Sequence, residues 1–318
     1  METILEAAIA NHANDIYLLP LSETHYSVKF HIDGRATQHV TLTTVAAQQM
    51  IAAVKYRAKM NISERRRPQL GRFSHKDIWI RVSTVGDFLN RETLVLRLIY
   101  QKGRRQNWLA TTQFEQLYQQ MPSAGLFLIA GPTGSGKTTT LYRLLERLAE
   151  DKLVLTIEDP VEIQQSKFVQ LQVNDDAGIH YDDLIKVALR HRPEILLVGE
   201  IRDQLTAAAV VRAALSGHLV LSTIHAISAR DVILRLRDLG VEPAQLAVAL
   251  TDVVYQRLVT TTQQQQAAII DHLGSDDIAR VLQGQTVPKF SNQWQEVLAH
   301  ALATNKISKA HYHHFTQL

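Results

Sequence analysis

Residues 131 to 138 have the types and spacing of a phosphate-binding loop. They read Gly131-Pro-Thr-Gly-Ser-Gly-Lys-Thr138 and fit the pattern G-x-x-x-x-G-K-[ST] in full. Glycines at these positions let backbone amides point at phosphate oxygens, and the start of a following helix adds partial positive charge. Lys137 is predicted to contact the β- and γ-phosphates of a nucleotide, and the Thr138 hydroxyl to help hold Mg²⁺. The predicted nucleotide-binding residues here are Gly131, Pro132, Thr133, Gly134, Ser135, Gly136, Lys137, Thr138 and Thr139.

The segment from Glu194 to Glu200 contains four consecutive apolar residues, which are followed by a glycine and the acidic Glu200. A carboxylate at the end of a buried strand beside the loop can order Mg²⁺ or orient the attacking water, so Glu200 is the predicted catalytic residue. The alternative is a strand-end carboxylate that pairs with Arg202. The predicted metal ligands, acting together with ATP, are therefore Thr138 and Glu200.

A second acidic segment, Thr156 to Glu162, also follows an apolar run. Its acids could share a network of water around a bound metal ion. Glu158 is predicted to be catalytic, and Asp159 and Glu162 are predicted to belong to the nucleotide site. Asp159 precedes Pro160, so its alternative role is to begin a turn.

Two histidines bracket another apolar run, His218 before it and His225 after it. Their spacing is not that of a zinc-binding HExxH motif, and no third ligand accompanies them. Either histidine is predicted to sense the γ-phosphate by hydrogen bonding or to line an interface between subunits. The alternative is a structural histidine at a strand end.

These candidate residues require a sheet that brings them together. Near-continuous apolar strands that alternate with helical segments predict a parallel sheet covered on both faces, and hence an α/β fold. The phosphate-binding loop lies between an apolar strand and an amphipathic helix, which argues against a glycine-rich turn that binds nothing. The predicted strands are residues 126–130, 153–157, 195–198 and 219–223.

Changes of pattern along the chain predict four segments. Residues 1–105 combine short alternating strands with a helix, which predicts a smaller α+β domain. Residues 106–124 are predicted to form a linker that contains a polar helix. Residues 125–240 contain the predicted sheet, and residues 241–318 are predicted to be a helical region.

Composition narrows the class of protein. The chain has 318 residues, a formal net charge of +3 and no cysteine, so disulfides and cysteine-ligated metals are excluded. No apolar stretch reaches the length of about 20 residues that spans a bilayer. The N-terminus lacks the basic start of a signal peptide. We therefore expect a cytoplasmic protein, which could still reach a membrane through a partner.

Taken together, the motifs resemble the secretion ATPase superfamily, which covers type II secretion, type IV pilus and competence pseudopilus motors. Residues 156–162 resemble its acidic box, 195–203 its Walker B segment and 217–226 its histidine box. The order and spacing match over residues 65–258. The short, cysteine-free chain most resembles the Gram-positive competence pseudopilus assembly ATPase, and compact pilus-retraction motors are the nearest rival.

The resemblance implies a RecA-like P-loop ATPase domain with a parallel-rich sheet, preceded by a PAS-like α+β domain and followed by the helical C-terminal region. It also implies that Arg81 and Arg97 of the PAS-like domain act on the γ-phosphate, where a guanidinium neutralises developing charge. The alternative for each is a solvated strand arginine. Residues 68–72 resemble the superfamily's Pro-Gln-Asp-Gly-Arg segment, but Leu70 replaces the aspartate.

Cofactors and partners follow from the same resemblance. ATP and Mg²⁺ are expected, and zinc is not, because the superfamily's zinc module requires cysteines. The chain is expected to form a homo-oligomer, a hexameric ring, that acts peripherally at the cytoplasmic face of the membrane. Its expected partner is a polytopic inner-membrane platform protein, and its expected output is a type IV pilus-like competence pseudopilus for DNA uptake. Pilus retraction and type II secretion are the alternative outputs.

Two other classes of function remain open. A nucleic-acid translocase finds support in the basic run Arg65-Arg-Arg67. No aromatic residues accompany that run, so it is more typical of a solvated face, and no direct nucleic-acid partner is expected. A nucleotide-gated scaffold without useful turnover is the non-enzymatic alternative. The intact Lys137, Thr138 and Glu200 argue against it.

Overall fold

Two β-sheets organise the chain in the computed structural model, which describes residues 1–32, 34–76, 78–100, 106–174 and 177–318. The chain divides into two compact units, Met1–Gly103 and Arg104–Leu318, each with its own sheet. The predicted domain boundary at residue 105 lies outside the described residues. In the part of the chain that the structure describes, no helix is both long and apolar enough to cross a bilayer.

The N-terminal unit is a six-stranded antiparallel sheet of order β3-β2-β1-β6-β5-β4, with two helices. Apolar side chains alternate along its strands because one face of the sheet packs into the core. Helix α2 buries Met50, Ile51 and Val54 in this core. The elements are α1 Glu2–Ala10, β1 Asp15–Pro20, β2 His25–Ile32, β3 Arg35–Thr43, α2 Thr44–Arg57, β4 Gln69–His75, β5 Ile78–Gly86 and β6 Glu92–Tyr100.

The C-terminal unit contains an eight-stranded sheet of order β10-β9-β11-β12-β8-β13-β14-β7. All neighbouring strands are parallel except β13 and β14, which form an antiparallel hairpin. The strands are β7 Asn107–Trp108, β8 Gly125–Ala130, β9 Val154–Glu158, β10 Phe168–Gln172, β11 Ile195–Ile201, β12 Leu219–Ile224, β13 Leu250–Thr260 and β14 Gln266–Leu273.

Helices cover both faces of this sheet, as the continuous apolar strands predict. Every residue of β8 and β12 is buried. One hydrophobic cluster packs α4 against one face, and a larger cluster packs α6, α7 and the C-terminal helices against the other. The helices are α3 Thr112–Gln119, α4 Lys137–Leu148, α5 Tyr181–Arg190, α6 Gln204–Leu215, α7 Ala229–Asp238, α8 Pro243–Ala249, α9 Ser275–Leu282, α10 Asn292–Ala303 and α11 Lys309–Thr316.

The prediction of a helical region over residues 241–318 is wrong in part, because β13 and β14 belong to the sheet. Strand β13 pairs in parallel with β8, so it lies inside the sheet and is buried on both faces. Such a strand lacks the period-two alternation that would separate it from a helix. Strand β7, from the predicted linker, pairs with β14. The sheet therefore extends beyond the predicted limits of 125–240.

Leu250→Ala is expected to lower the free energy of unfolding by about 2–5 kcal/mol, because Leu250 begins β13 and is only 3% exposed. Leu205→Ala, at an exposed position of α6, is the matched control and should change it by about 0.5 kcal/mol or less. Urea unfolding of both variants measures the difference. Equal losses would mean that β13 is not part of the core.

Candidate active site

The phosphate-binding loop connects β8 to α4 and depends on glycine at both ends. Gly131 and Gly136 have φ angles of +147° and +83°, which residues with side chains rarely adopt. A Cβ at Gly131 would clash with the backbone carbonyl oxygen of Gln256. A Cβ at Gly136 would lie 2.9 Å from the side-chain Nε2 of Gln256. Strand β13 therefore passes so close to the loop that both positions require glycine.

The start of α4 is open to an anion. Its N-cap residue, Gly136, offers no side-chain cap, so the first backbone amides of the helix lack that partner. Aligned amides and the positive end of the helix dipole favour phosphate at this place. Thr138 and Thr139 lie half-buried in the first turn, whereas Pro132, Thr133 and Gly134 at the loop tip are exposed.

Lys137 is largely buried, and its ammonium group folds back onto the loop. Nζ donates to the carbonyl oxygens of Gly131 and Pro132, each at 3.0 Å. Burial lowers the pKa of Lys137, and the negative charge of Glu200 opposes that change. Ser135 is buried as well, and among the described residues its hydroxyl has no hydrogen-bond partner. A buried cation, an open helix start and an unsatisfied hydroxyl around one loop fit the polyphosphate of a nucleotide.

The acids at the ends of β9 and β11 lie at the same edge of the sheet as the loop, because these strands run parallel to β12 and β8. Glu200 Oε1 accepts a hydrogen bond from Arg202 Nη2 at 2.5 Å. Asp159 Oδ2 lies 3.8 Å from the same guanidinium. The pairing with Arg202 that the sequence left open is therefore present, and Glu200 also acts electrostatically on Lys137.

Glu158 is buried and faces the loop's helix. Its Oε1 accepts hydrogen bonds from the hydroxyls of Tyr142 in α4 at 2.6 Å and Thr156 at 2.7 Å. Burial raises the pKa of Glu158, and these hydroxyls oppose that rise. The half-buried Glu162 is near enough for its charge to raise the same pKa. Glu158 thus connects the acidic segment to α4, and its catalytic role stays a prediction.

The two predicted histidines lie at opposite ends of strand β12. His225 follows β12, and its Nε2 lies 3.8 Å from Glu200 Oε2. Burial, and next the charge of Lys137, lower the pKa of His225. His218 precedes β12, and its carbonyl accepts from Gly125 at the start of β8.

The structure does not bring His218 to the loop of its own subunit, and its nucleotide-sensing role stays a prediction. A six-residue strand separates it from the loop edge, a length of about 20 Å. His225 therefore lies at the end of β12 that is near the loop, and His218 lies at the other end. The interface role that the sequence left open for His218 stays a prediction.

Arg81 and Arg97 lie directly opposite each other on β5 and β6 of the N-terminal unit. Arg97 Nε donates to the buried Asp15 Oδ1 at 2.8 Å, and Arg72 on β4 extends the same row beside Arg81. Three arginines on adjacent strands form a concentrated positive row. Contact of Arg81 and Arg97 with a γ-phosphate stays a prediction.

Sequence reasoning missed the polar side chains that lie beneath the loop. The Thr140 hydroxyl of α4 donates to Gln256 Oε1 at 2.7 Å, and Gln106 Oε1 lies 3.0 Å from the same hydroxyl oxygen. Tyr181 was missed too: its hydroxyl lies against Gly199, and burial, with the charges of Asp159 and Glu200, raises its pKa. The only sequence signal for Gln256 was an uncharged polar residue inside an apolar run.

Glu158→Gln should make the protein more stable than the wild type at neutral pH. The raised pKa means that ionising Glu158 costs more in the folded state than in the unfolded state. The wild type therefore loses stability relative to the variant as pH rises through the ordinary glutamate value of 4.5 and on to the raised pKa. Urea unfolding at several pH values measures this difference, and a difference that shrank as pH rose would contradict the assignment.

Comparison with known proteins assigns the chain to a family. The family described as type II/IV secretion system protein matches residues 1–312. The competence protein ComGA of Streptococcus pneumoniae is 42% identical over 263 residues, which cover 81% of this chain and 83% of ComGA. The type IV pilus assembly ATPase TfpB of Acinetobacter baylyi is 40% identical over 278 residues, which cover 81% of this chain but only 46% of TfpB.

Solved structures share the fold. The ATPase DotB of Legionella pneumophila superposes with a TM-score of 0.77 at 20% identity, covering 100% of this chain and 95% of DotB. The pilus retraction motor PilT, solved with bound ADP, gives a TM-score of 0.73 at 23% identity, covering 99% of this chain and 97% of PilT. With its loop, its acidic strand ends and these likenesses in agreement, the chain belongs to the type II/IV secretion system protein family.

Proposed function

We propose that this chain hydrolyses MgATP and drives assembly of a type IV pilus-like competence pseudopilus for DNA uptake. The observation that carries the proposal is the open, glycine-dependent loop that holds Lys137 beside Glu200 at one sheet edge. The pseudopilus is favoured by the 42% identity with ComGA, a competence protein, over 83% of its length.

The loop residues would act chiefly through charge and position. Lys137 would exchange the carbonyls of Gly131 and Pro132 for the β- and γ-phosphates, which bind an ammonium more strongly because they are anionic. The Thr138 hydroxyl and Glu200 would hold Mg²⁺, which neutralises phosphate charge when bound. Glu200 would also orient the attacking water, and its bond to Arg202 fixes its side chain.

His225 is suited to report the state of the γ-phosphate. Its Nε2 lies 3.8 Å from Glu200, and the charge of Lys137 acts on it, so it lies near both the loop's cation and the proposed catalytic acid. Its lowered pKa favours the neutral ring at neutral pH, which can donate one hydrogen bond and accept another.

We further propose that the subunits form a hexameric ring in which the N-terminal unit is the PAS-like domain and supplies Arg81 and Arg97 to the γ-phosphate. Loss of that phosphate would release contacts and change the arrangement of the units. A polytopic inner-membrane platform protein would transmit the change to pilin-like subunits. The chain would thus act peripherally at the cytoplasmic face of the membrane.

Pilus retraction or type II secretion is the second candidate output. Type II secretion system protein E of Dickeya dadantii is 37% identical over 271 residues, which cover 82% of this chain and 54% of that protein. The higher identity with ComGA, over more of the relative's length, favours competence.

Lys137→Ala should lower the rate of Mg²⁺-dependent ATP hydrolysis by about 10²–10³-fold, because it removes a positive charge from the transferring phosphate. Lys152→Ala, an exposed lysine beyond α4, is the matched control and should keep the wild-type rate. Phosphate release from ATP measures both. Normal turnover by Lys137→Ala would refute the site.

Glu200→Gln should separate binding from hydrolysis. The amide keeps the size of the side chain but cannot hold Mg²⁺ or orient water as the carboxylate does, so the variant should bind ATP and fail to turn it over. Filter binding of labelled ATP, run beside the hydrolysis assay, tests this expectation. Equal turnover by the variant and the wild type would leave Glu200 as only the partner of Arg202.

Hydrolysis per subunit should rise with protein concentration as the ring forms, and duplex DNA should not change it. Light scattering during the assay gives the oligomeric mass at each concentration. Turnover by a monomer that required DNA would instead support the translocase alternative. The affinity of the protein for DNA would then fall steeply as the salt concentration rises.

A further inference from the structure

Gln256 of β13 holds the phosphate-binding loop from beneath. Its side chain is completely buried. Nε2 donates to the carbonyl oxygen of Ser135 at 2.6 Å, and Oε1 accepts from the Thr140 hydroxyl at 2.7 Å. One amide group therefore connects the sheet, the loop and the first turns of α4.

The bond to Ser135 fixes the direction of a backbone amide. The Ser135 carbonyl and the Gly136 N–H belong to one trans peptide plane, in which the two groups point in opposite directions. Because Gln256 draws the carbonyl toward β13, the Gly136 N–H is directed away from β13, toward the open side of the loop. That is the side on which an anion can approach the start of α4.

The backbone contacts support the same arrangement. The Gln256 carbonyl oxygen leaves no space for a side chain at Gly131, and the side-chain Nε2 of Gln256 leaves little at Gly136. Gln106 lies beside the same contact, because its Oε1 is 3.0 Å from the Thr140 hydroxyl oxygen and its backbone oxygen accepts from Arg143 at 3.2 Å. Both ends of the loop are thus held against β13.

We infer that Gln256 is a positioning residue that keeps the loop's amides directed at the phosphates of the nucleotide, and that β13 thereby sets nucleotide affinity. The inference rests on the proposed function, since it requires a nucleotide in the loop. Gln256 itself does not touch the phosphates.

Two substitutions test the role of the amide. Gln256→Glu keeps the acceptor for Thr140 but places a second oxygen against the Ser135 carbonyl, which repels it. Gln256→Met keeps the length and packing of the side chain and removes the amide. Each should raise the Kd for a fluorescent ADP analogue about tenfold, the effect of losing one buried hydrogen bond.

Gln113→Met is the matched control. Gln113 is also a buried glutamine bonded to backbone: its Nε2 donates at 2.8 Å to the carbonyl of Ile270, which pairs with Gln256 across β13 and β14. Its side-chain hydrogen bonds go to the backbone of Ile270 and not to the loop, so its substitution should cost comparable stability and leave the Kd unchanged. Thermal unfolding of each variant supplies the comparison.

The outcomes separate this inference from the proposed function. A wild-type Kd for Gln256→Met would overturn the positioning role, and so would a loss of affinity equal to that of Gln113→Met. Neither result would contradict the proposed ATP hydrolysis. If Gln256→Glu does not fold, Gln256→Met alone decides. Failure of the wild type to bind the ADP analogue would contradict the proposed nucleotide site itself.

Discussion

Lys137 carries a positive charge inside the protein, and the arrangement of the site follows from that constraint. A buried ammonium requires oxygen partners, and here the loop supplies two of its own carbonyls while Glu200 adds a nearby negative charge. Carbonyls bind an ammonium less strongly than phosphate oxygens do, so they are suited to be exchanged. The loop's own carbonyls therefore hold the cation, and phosphate oxygens can replace them.

The parallel sheet converts separate stretches of sequence into one charged edge. Strands β8, β9, β11 and β12 all end on the side of the loop, so the residues that follow them meet there. The resulting network has two parts. Arg202 and His225 contact Glu200 near the surface, whereas Glu158 is buried and bonded to Tyr142 of α4. A displacement of α4 by nucleotide would thus reach the acidic segment through buried hydrogen bonds.

The loop and Glu200 could be predicted because their chemistry depends on local spacing and on the ends of strongly apolar strands. The same reasoning failed where position in the sheet decided the outcome. Strand β13 is buried on both faces and so resembled a helix. Gln256 was not found because its partners are distant in sequence, and a polar residue inside an apolar run does not by itself show which groups it contacts.

The most direct test of the central claim, that the loop binds the phosphates of ATP through Lys137, is a structure with Mg²⁺ and a non-hydrolysable ATP analogue. We expect Lys137 Nζ to leave the carbonyls of Gly131 and Pro132 and to lie within hydrogen-bond distance of β- and γ-phosphate oxygens. We also expect Mg²⁺ at the Thr138 hydroxyl. Phosphates bound elsewhere, or a Lys137 still bonded to both carbonyls with the analogue present, would contradict it.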